Sequence, residues 1–264
     1  MNNFPSVPTH TVLSAANLVK VYGGKTRALA GVDLALSAGE SVAIMGASGS
    51  GKTTLLHTLA GIIVPDGGRV TFNGPVGPVE VSALNDRDRS KLRRESFGFV
   101  FQQGLLVPEL TATENVALPM MLAGYPRAES ETHARRWLDA LGLPGLGDRR
   151  IGELSGGQAQ RVAIARAQVT GASIIFADEP TGALDSQTSA DVMDALLHST
   201  VGQGHTLVVV THDREVAARC DRIIHIRDGR VHTDPGHPGE PAVPATPAPS
   251  FVGEGWDRPA GETR

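Results

Sequence analysis

The stretch Gly46-Ala47-Ser48-Gly49-Ser50-Gly51-Lys52-Thr53 constrains the fold more than any other part of this chain. It fits the phosphate-binding loop pattern G-x-x-x-x-G-K-[ST], which has meaning only between a strand and a helix. Both flanks are legible. Ser41–Met45 is a short, mostly apolar run suited to a buried strand, and Thr54 to Ala60 reads as a helix stopped by Gly61. In such a loop the glycines let backbone N–H groups curl around the β- and γ-phosphates of a nucleotide, and the helix N-terminus adds positive partial charge. Gly46, Ala47, Ser48, Gly49, Ser50, Gly51, Lys52, Thr53 and Thr54 are therefore the predicted phosphate site. Lys52 reaches the β/γ oxygens, and the Thr53 hydroxyl is a Mg²⁺ ligand. A Gly/Ser turn that binds nothing would not need these flanks.

At 264 residues the chain has room for one α/β domain, with or without a tail, and can bury a substantial core. With 24 basic and 28 acidic residues the net charge is -4, which announces no basic face and gives nucleic acid no support. Cys220 is the single cysteine, so no internal disulfide forms, and it reads as a small apolar filler. The first residues lack the charged start and apolar core of a signal peptide, and no stretch approaches the roughly 18 apolar residues that span a bilayer. A soluble protein is expected.

Along the chain, Val12–Tyr22 and Arg27–Leu36 read as strands that join Ser41–Met45 in an antiparallel edge against the nucleotide core. Tyr22 either stacks on an adenine ring or is an interfacial core aromatic. Gly68–Ala83 is strand-like and loop-rich, and Asp86–Arg94 is a solvated helix. Phe97–Phe101 is an aromatic strand ended by Gln102-Gln103-Gly104, and α/β sheets place ligand groups at such strand ends. Thr111-Ala112-Thr113-Glu114 is a capping box opening a helix through Leu122. Ala134, Trp137, Leu138 and Leu141 define a second amphipathic helix stopped by Gly142. This helical insertion, about residues 105–168, is either plain scaffold or a docking surface.

Ser155 caps a helix running to about Val169, with Gln158 three residues on and the bare amides of Gly156 and Gly157 between them, a second anion-binding helix terminus. Ser173–Glu179 is a buried strand ending in two adjacent carboxylates. Asp178 fits Mg²⁺ binding and Glu179 a general base for the attacking water. Asp185 precedes the helix Gln187–Leu197. Thr206–Val210 is a strand leading to His212, which is either structural or within reach of the γ-phosphate. Ile223–His232 is a hairpin turned by Asp228-Gly229.

With these motifs in this order, the sequence resembles the ATP-binding-cassette ATPases over about residues 13 to 233. The resemblance implies an α/β fold, with a P-loop NTPase (RecA-like) core, an antiparallel β edge and a helical insertion. It makes residues 11–234 the ATP-binding domain and leaves 235–264, rich in Pro, Gly and Ala, as a disordered tail. Gly46–Thr53 matches the first nucleotide motif of that family, Gln102 its glutamine-loop residue and Leu154–Gln158 its signature. Asp178 matches the metal-site carboxylate, Glu179 the catalytic glutamate, Asp185 the loop after it and His212 the switch histidine. Tyr22 matches the adenine-stacking aromatic. Catalytic roles thus fall on Glu179, His212, Gln102 and Lys52, and metal ligation on Thr53, Gln102 and Asp178. Gly98–Gln103, Leu110–Val116 and Asp178–Asp185 are similar to the exporters of macrolides and the lipoprotein-release systems. Relatives usually carry an aromatic and Asn where this chain has Gly104 and Leu105, and Pro in place of Ile151.

The implied cofactors are ATP and Mg²⁺. The implied partners are a separate integral-membrane permease, docked through the helical insertion on the cytoplasmic membrane face, and a second ATPase subunit. In a head-to-tail dimer Ser155, Gly156 and Gly157 of one chain would cap ATP held by the other. Rival readings are an ATPase of a mechanical signalling or cell-division complex, and a DNA-repair or ribosomal member of the superfamily. The last two want a long coiled-coil insertion or two cassettes per chain, and neither is visible here.

Overall fold

The computed structural model describes residues 11–102 and 104–232. Among the described residues ten strands form two sheets. Strands β1 (Thr11–Tyr22), β2 (Thr26–Ser37), β4 (Gly67–Gly74) and β5 (Gly77–Glu80) make an antiparallel sheet in the order β2-β1-β4-β5. The other sheet has the order β10-β9-β3-β8-β7-β6. Its members are β3 (Ser41–Met45), β6 (Phe97–Phe101), β7 (Ile174–Asp178), β8 (Thr206–Val210), β9 (Arg222–Arg227) and β10 (Arg230–His232). All are parallel except β10, which returns from β9 through Asp228 and Gly229, both at positive φ as a two-residue hairpin turn demands.

One expectation fails here. Ser41–Met45 does not belong to the antiparallel edge but pairs in parallel with β8 and β9. The burial pattern gives the reason. All five residues of β3 and all five of β8 are buried, as in a strand covered on both faces. β1 instead alternates buried and half-buried positions, which suits a sheet with one wet face.

Two large apolar cores and one small cluster follow among the described residues. The first fills the space between the sheets around α1 (Lys52–Leu59), whose Leu55, Leu56 and Leu59 are fully buried beside Leu13, Leu29 and Ile44. Phe97 links the layers, meeting Phe72 and Phe176 edge-to-face at centroid distances of 5.0 and 5.3 Å. Helix α2 (Asp86–Ser96) buries none of its residues, matching its charged composition.

The second core lies under α3 (Ala112–Leu122), α4 (Arg127–Ala140), α5 (Gly156–Gln168) and α6 (Ser186–Thr200). The first three of these helices lie between β6 and β7 in the chain. Thr111 and Glu114 close the expected capping box on α3, and Gly142 ends α4 at φ 73°. Leu138 of α4 is buried in this core, worth about 1.5–3 kcal/mol of burial. A short helix, α7 (Arg214–Ala217), precedes β9. The expected tail, 235–264, lies outside the described residues.

Candidate nucleotide site

Register places the carboxyl ends of four parallel strands side by side. Phe101 of β6 faces Asp178 of β7, Asp178 faces Val210 of β8, and Val210 faces Ile44 of β3. Ligand groups of α/β sheets gather at such an edge. The loop from β3 to α1 leaves at this edge and has no room for side chains at two points. A Cβ on Gly46 would collide with the Ile226 carbonyl, and one on Gly51 with the Ala28 carbonyl. Gly51 also takes φ 104°, a conformation glycine adopts freely, where it caps α1. The Lys52 ammonium curls over its own loop, donating to the carbonyls of Gly46 at 2.8 Å and Ala47 at 3.0 Å. Gly46 to Ser50 line a cavity of about 590 Å³ with residues of the β9–β10 hairpin.

Opposite the loop stand the two acids. Thr53 Oγ1 lies 3.4 Å from Asp178 Oδ1, joining the first turn of α1 to the end of β7. Burial pushes the Asp178 carboxyl above the usual carboxylate range, and the Glu179 charge adds to this; Thr53, His57 and Lys52 pull the other way. Glu179 occupies φ 49°, held by its N–H to the Val210 carbonyl at 2.9 Å and by its carbonyl, which accepts from Gly182 N–H at 3.1 Å. A left-handed backbone at a bulky residue is uncommon and points to a local constraint. Here it directs the carboxylate to His212, whose Nδ1 lies 2.9 and 3.0 Å from its two oxygens. Gln102, at the end of β6, crosses the same segment: a Cβ on Gly182 would lie 2.9 Å from its Nε2.

Lys52, Thr53, Gln102, Asp178, Glu179 and His212 thus share one edge. Tyr22 lies at the tip of the β1–β2 hairpin, opposite Thr26 and near Ala28, which abuts Gly51. Tyr22 as a whole is 43% exposed, with the Lys20 ammonium 5.7 Å from its ring centroid. It is not a core aromatic.

The remaining predicted residues form a second group. Ser155 Oγ accepts from Gln158 N–H at 3.3 Å while Gln158 Oε1 accepts from Ser155 N–H at 2.9 Å. Asp185 caps α6 through Thr188, and the Thr188 N–H holds its carboxyl below the usual range. Gly156 and Gly157 pack beside Leu184 and Thr188. Among the described residues, no hydrogen bond links Ser155–Gln158 to Gly46–Thr54.

Sequence reasoning passed over His57. It lies one turn beyond Thr53, so both project from the same face of α1, and its charge acts on Asp178. Burial lowers its pKa, and its Nε2 is buried without a partner. The i, i+4 spacing from Thr53 was the available signal.

The family profile described as ABC transporter matches residues 29–182. The pyoverdine export ATP-binding/permease protein of Pseudomonas fluorescens is 49% identical over 227 residues, covering 84% of this chain and 34% of that protein. The macrolide export ATP-binding/permease protein of Brucella melitensis is 53% identical over 206 residues, covering 78% and 31%. This chain therefore spans about a third of the length of the curated relatives it matches. Among solved structures, a dimeric post-hydrolysis ATP-binding cassette bound to ADP and Pi superposes with a TM-score of 0.74 at 40% identity, covering 83% of this chain and 96% of that one. The chain belongs to the ABC transporter family, as an ATP-binding cassette with ATPase activity. No helix among the described residues is long and apolar enough to cross a membrane.

Proposed function

We propose that this cassette hydrolyses ATP to drive a membrane permease that exports a small molecule or peptide-like cargo, working as a dimer on the cytoplasmic membrane face. The observation that carries the reading is the pairing of Glu179 with His212 at the strand edge, beside the Thr53–Asp178 contact. Export is supported by the named activities of the relatives, macrolide and pyoverdine export. Dimerisation is supported by the dimeric cassette of the same fold.

In this reading Lys52 and the loop amides hold the β- and γ-phosphates, and Tyr22 stacks on the adenine. Thr53, Asp178 and the Gln102 amide oxygen offer the hard oxygen donors that Mg²⁺ prefers. The ion, when bound, neutralises charge on the phosphates. Glu179 takes a proton from the attacking water while His212, on the carboxylate's other side, orients it and faces the γ-phosphate. Ser155, Gly156 and Gly157 of a second copy, with Asp185 beside them, close over the nucleotide.

A membrane test separates this from a soluble role. Expressed with the permease of the same system, the cassette should co-purify with it in detergent, and cargo should stimulate its ATPase. Unchanged ATPase in a stable complex given the cargo would overturn the transport reading while leaving the ATPase in place.

A further inference from the structure

Gln102 lies between two anchor points on a single helix. On one side, Gln160 of α5 is buried and donates from Nε2 to the Phe101 carbonyl at 2.9 Å. On the other, Arg166 donates from Nη2 to the Gly104 carbonyl at 2.6 Å and from Nη1 to the Leu105 carbonyl at 2.7 Å. All three carbonyls flank Gln102, and the helix that holds them is the one Ser155 caps.

The Arg166 contact is unusual in two respects. Its guanidinium is half-buried, and among the described residues it has no carboxylate partner. Desolvation of a cation without an acid is costly and must be offset by well-made hydrogen bonds. The carbonyls it grips belong to consecutive residues in the left-handed region, Gly104 at φ 66° and Leu105 at φ 47°. Glycine takes that conformation freely, but leucine does not. Leu105 has little packing to compensate, being 61% exposed.

We infer that Arg166, assisted by Gln160, is a positioning residue that fixes the Gln102 connector to the helix capped by Ser155 by holding Leu105 in its left-handed backbone. The fork of Arg166 suits this, because its planar donors fix two carbonyl directions at once, which a lysine cannot do. The inference rests on the proposed role of Gln102 toward the metal, and the test separates the two.

The experiment measures hydrolysis by the full chain as a function of Mg²⁺ at saturating ATP, with thermal melts alongside. Arg166→Met should raise the Mg²⁺ concentration for half-maximal rate by at least about tenfold, the low end for losing a hydrogen bond from a charged group, of which Arg166 makes two. Arg166→Lys should fall between Met and wild type. Adding Leu105→Gly to Arg166→Met should recover part of the Mg²⁺ shift, since glycine enters the left-handed backbone without strain. No recovery would mean that Arg166 only packs α5, and the inference fails. Should Arg166→Met not fold, Arg166→Lys with and without Leu105→Gly makes the same comparison. If Gln102→Ala raises the Mg²⁺ requirement and Arg166→Met does not, the coupling is wrong. If Gln102→Ala itself leaves it unchanged, the role of Gln102 is wrong instead.

Discussion

Glu179→Gln separates nucleotide binding from chemistry, and the structure sets what it should do. The backbone at Glu179 is held at φ 49° by main-chain bonds to Val210 and Gly182, which the substitution leaves untouched. The amide oxygen of glutamine can still meet His212 Nδ1, so shape and folding should survive. What is lost is the proton acceptor. General-base catalysis contributes about 10²–10⁴-fold, so turnover should fall by that factor, about 2.7–5.5 kcal/mol in the barrier. ATP affinity should change little, since Lys52, the loop amides and Tyr22 are intact. His212→Ala combined with Glu179→Gln should cost little beyond the single change, because groups acting as a unit are not additive. With hydrolysis blocked, the protein should accumulate as an ATP-bound dimer. Light scattering after size exclusion, with and without MgATP, reads the mass. Adding Ser155→Arg should disperse the dimer by placing a bulky cation at the helix end that meets the opposite phosphate. A Glu179→Gln protein that binds ATP and stays monomeric at high concentration would refute the shared-site reasoning.

Lys52→Ala should abolish ATP binding, because the loop loses the charge that meets the phosphates; normal affinity by fluorescent-nucleotide titration would contradict this. Tyr22→Ala should weaken ATP by about 1–3 kcal/mol, the value of a base–aromatic stack, while Tyr22→Phe should be nearly silent by calorimetry. Burial pushes the Cys220 thiol up to about 12, with the Asp221 charge adding to it. It should therefore resist alkylation near the free-thiol pKa of about 8.5 in the folded protein and react once urea is added. Because the folded pKa is raised, its contribution to stability is complete below the ordinary thiol range and lost as pH climbs toward about 12.

How far the sequence reveals this molecule depends on whether a feature is made by neighbours in the chain. The Gly46–Thr53 loop is legible because its glycines and Lys52 lie together in one short stretch of the chain, and Ser155 and Asp185 because capping takes a side chain and an amide three residues on. The sheet assignment of Ser41–Met45 depends on β8 and β9, more than 160 positions downstream, and proximity to the β1–β2 hairpin misdirected it. The burial on both faces that distinguishes it leaves only a uniform apolar run in the sequence. Arg166 gripping Leu105 is a contact between distant segments with no local pattern to announce it, whereas His57 was signalled only by its spacing from Thr53.

The signature segment marks a different limit. Ser155 and Gln158 satisfy each other in a capping box, and Asp185 satisfies Thr188, so each is fully explained by the helix it starts. Local chemistry therefore gives no reason to expect more of them. The surplus lies in Gly156 and Gly157. A helix start needs only its cap, and alanine would serve at both positions for helix propensity alone. At Gly157 the packing already excludes it, since a Cβ would run into Thr188. At Gly156 the nearest atom to an added Cβ is the Leu184 side chain at 3.1 Å, a neighbour able to give way. Gly156→Ala is thus the change that tests whether the bare helix start serves the fold or the opposite nucleotide. A thermal melt near wild type with a lost Glu179→Gln dimer assigns it to the nucleotide. A lowered melting temperature with the dimer intact returns it to the fold.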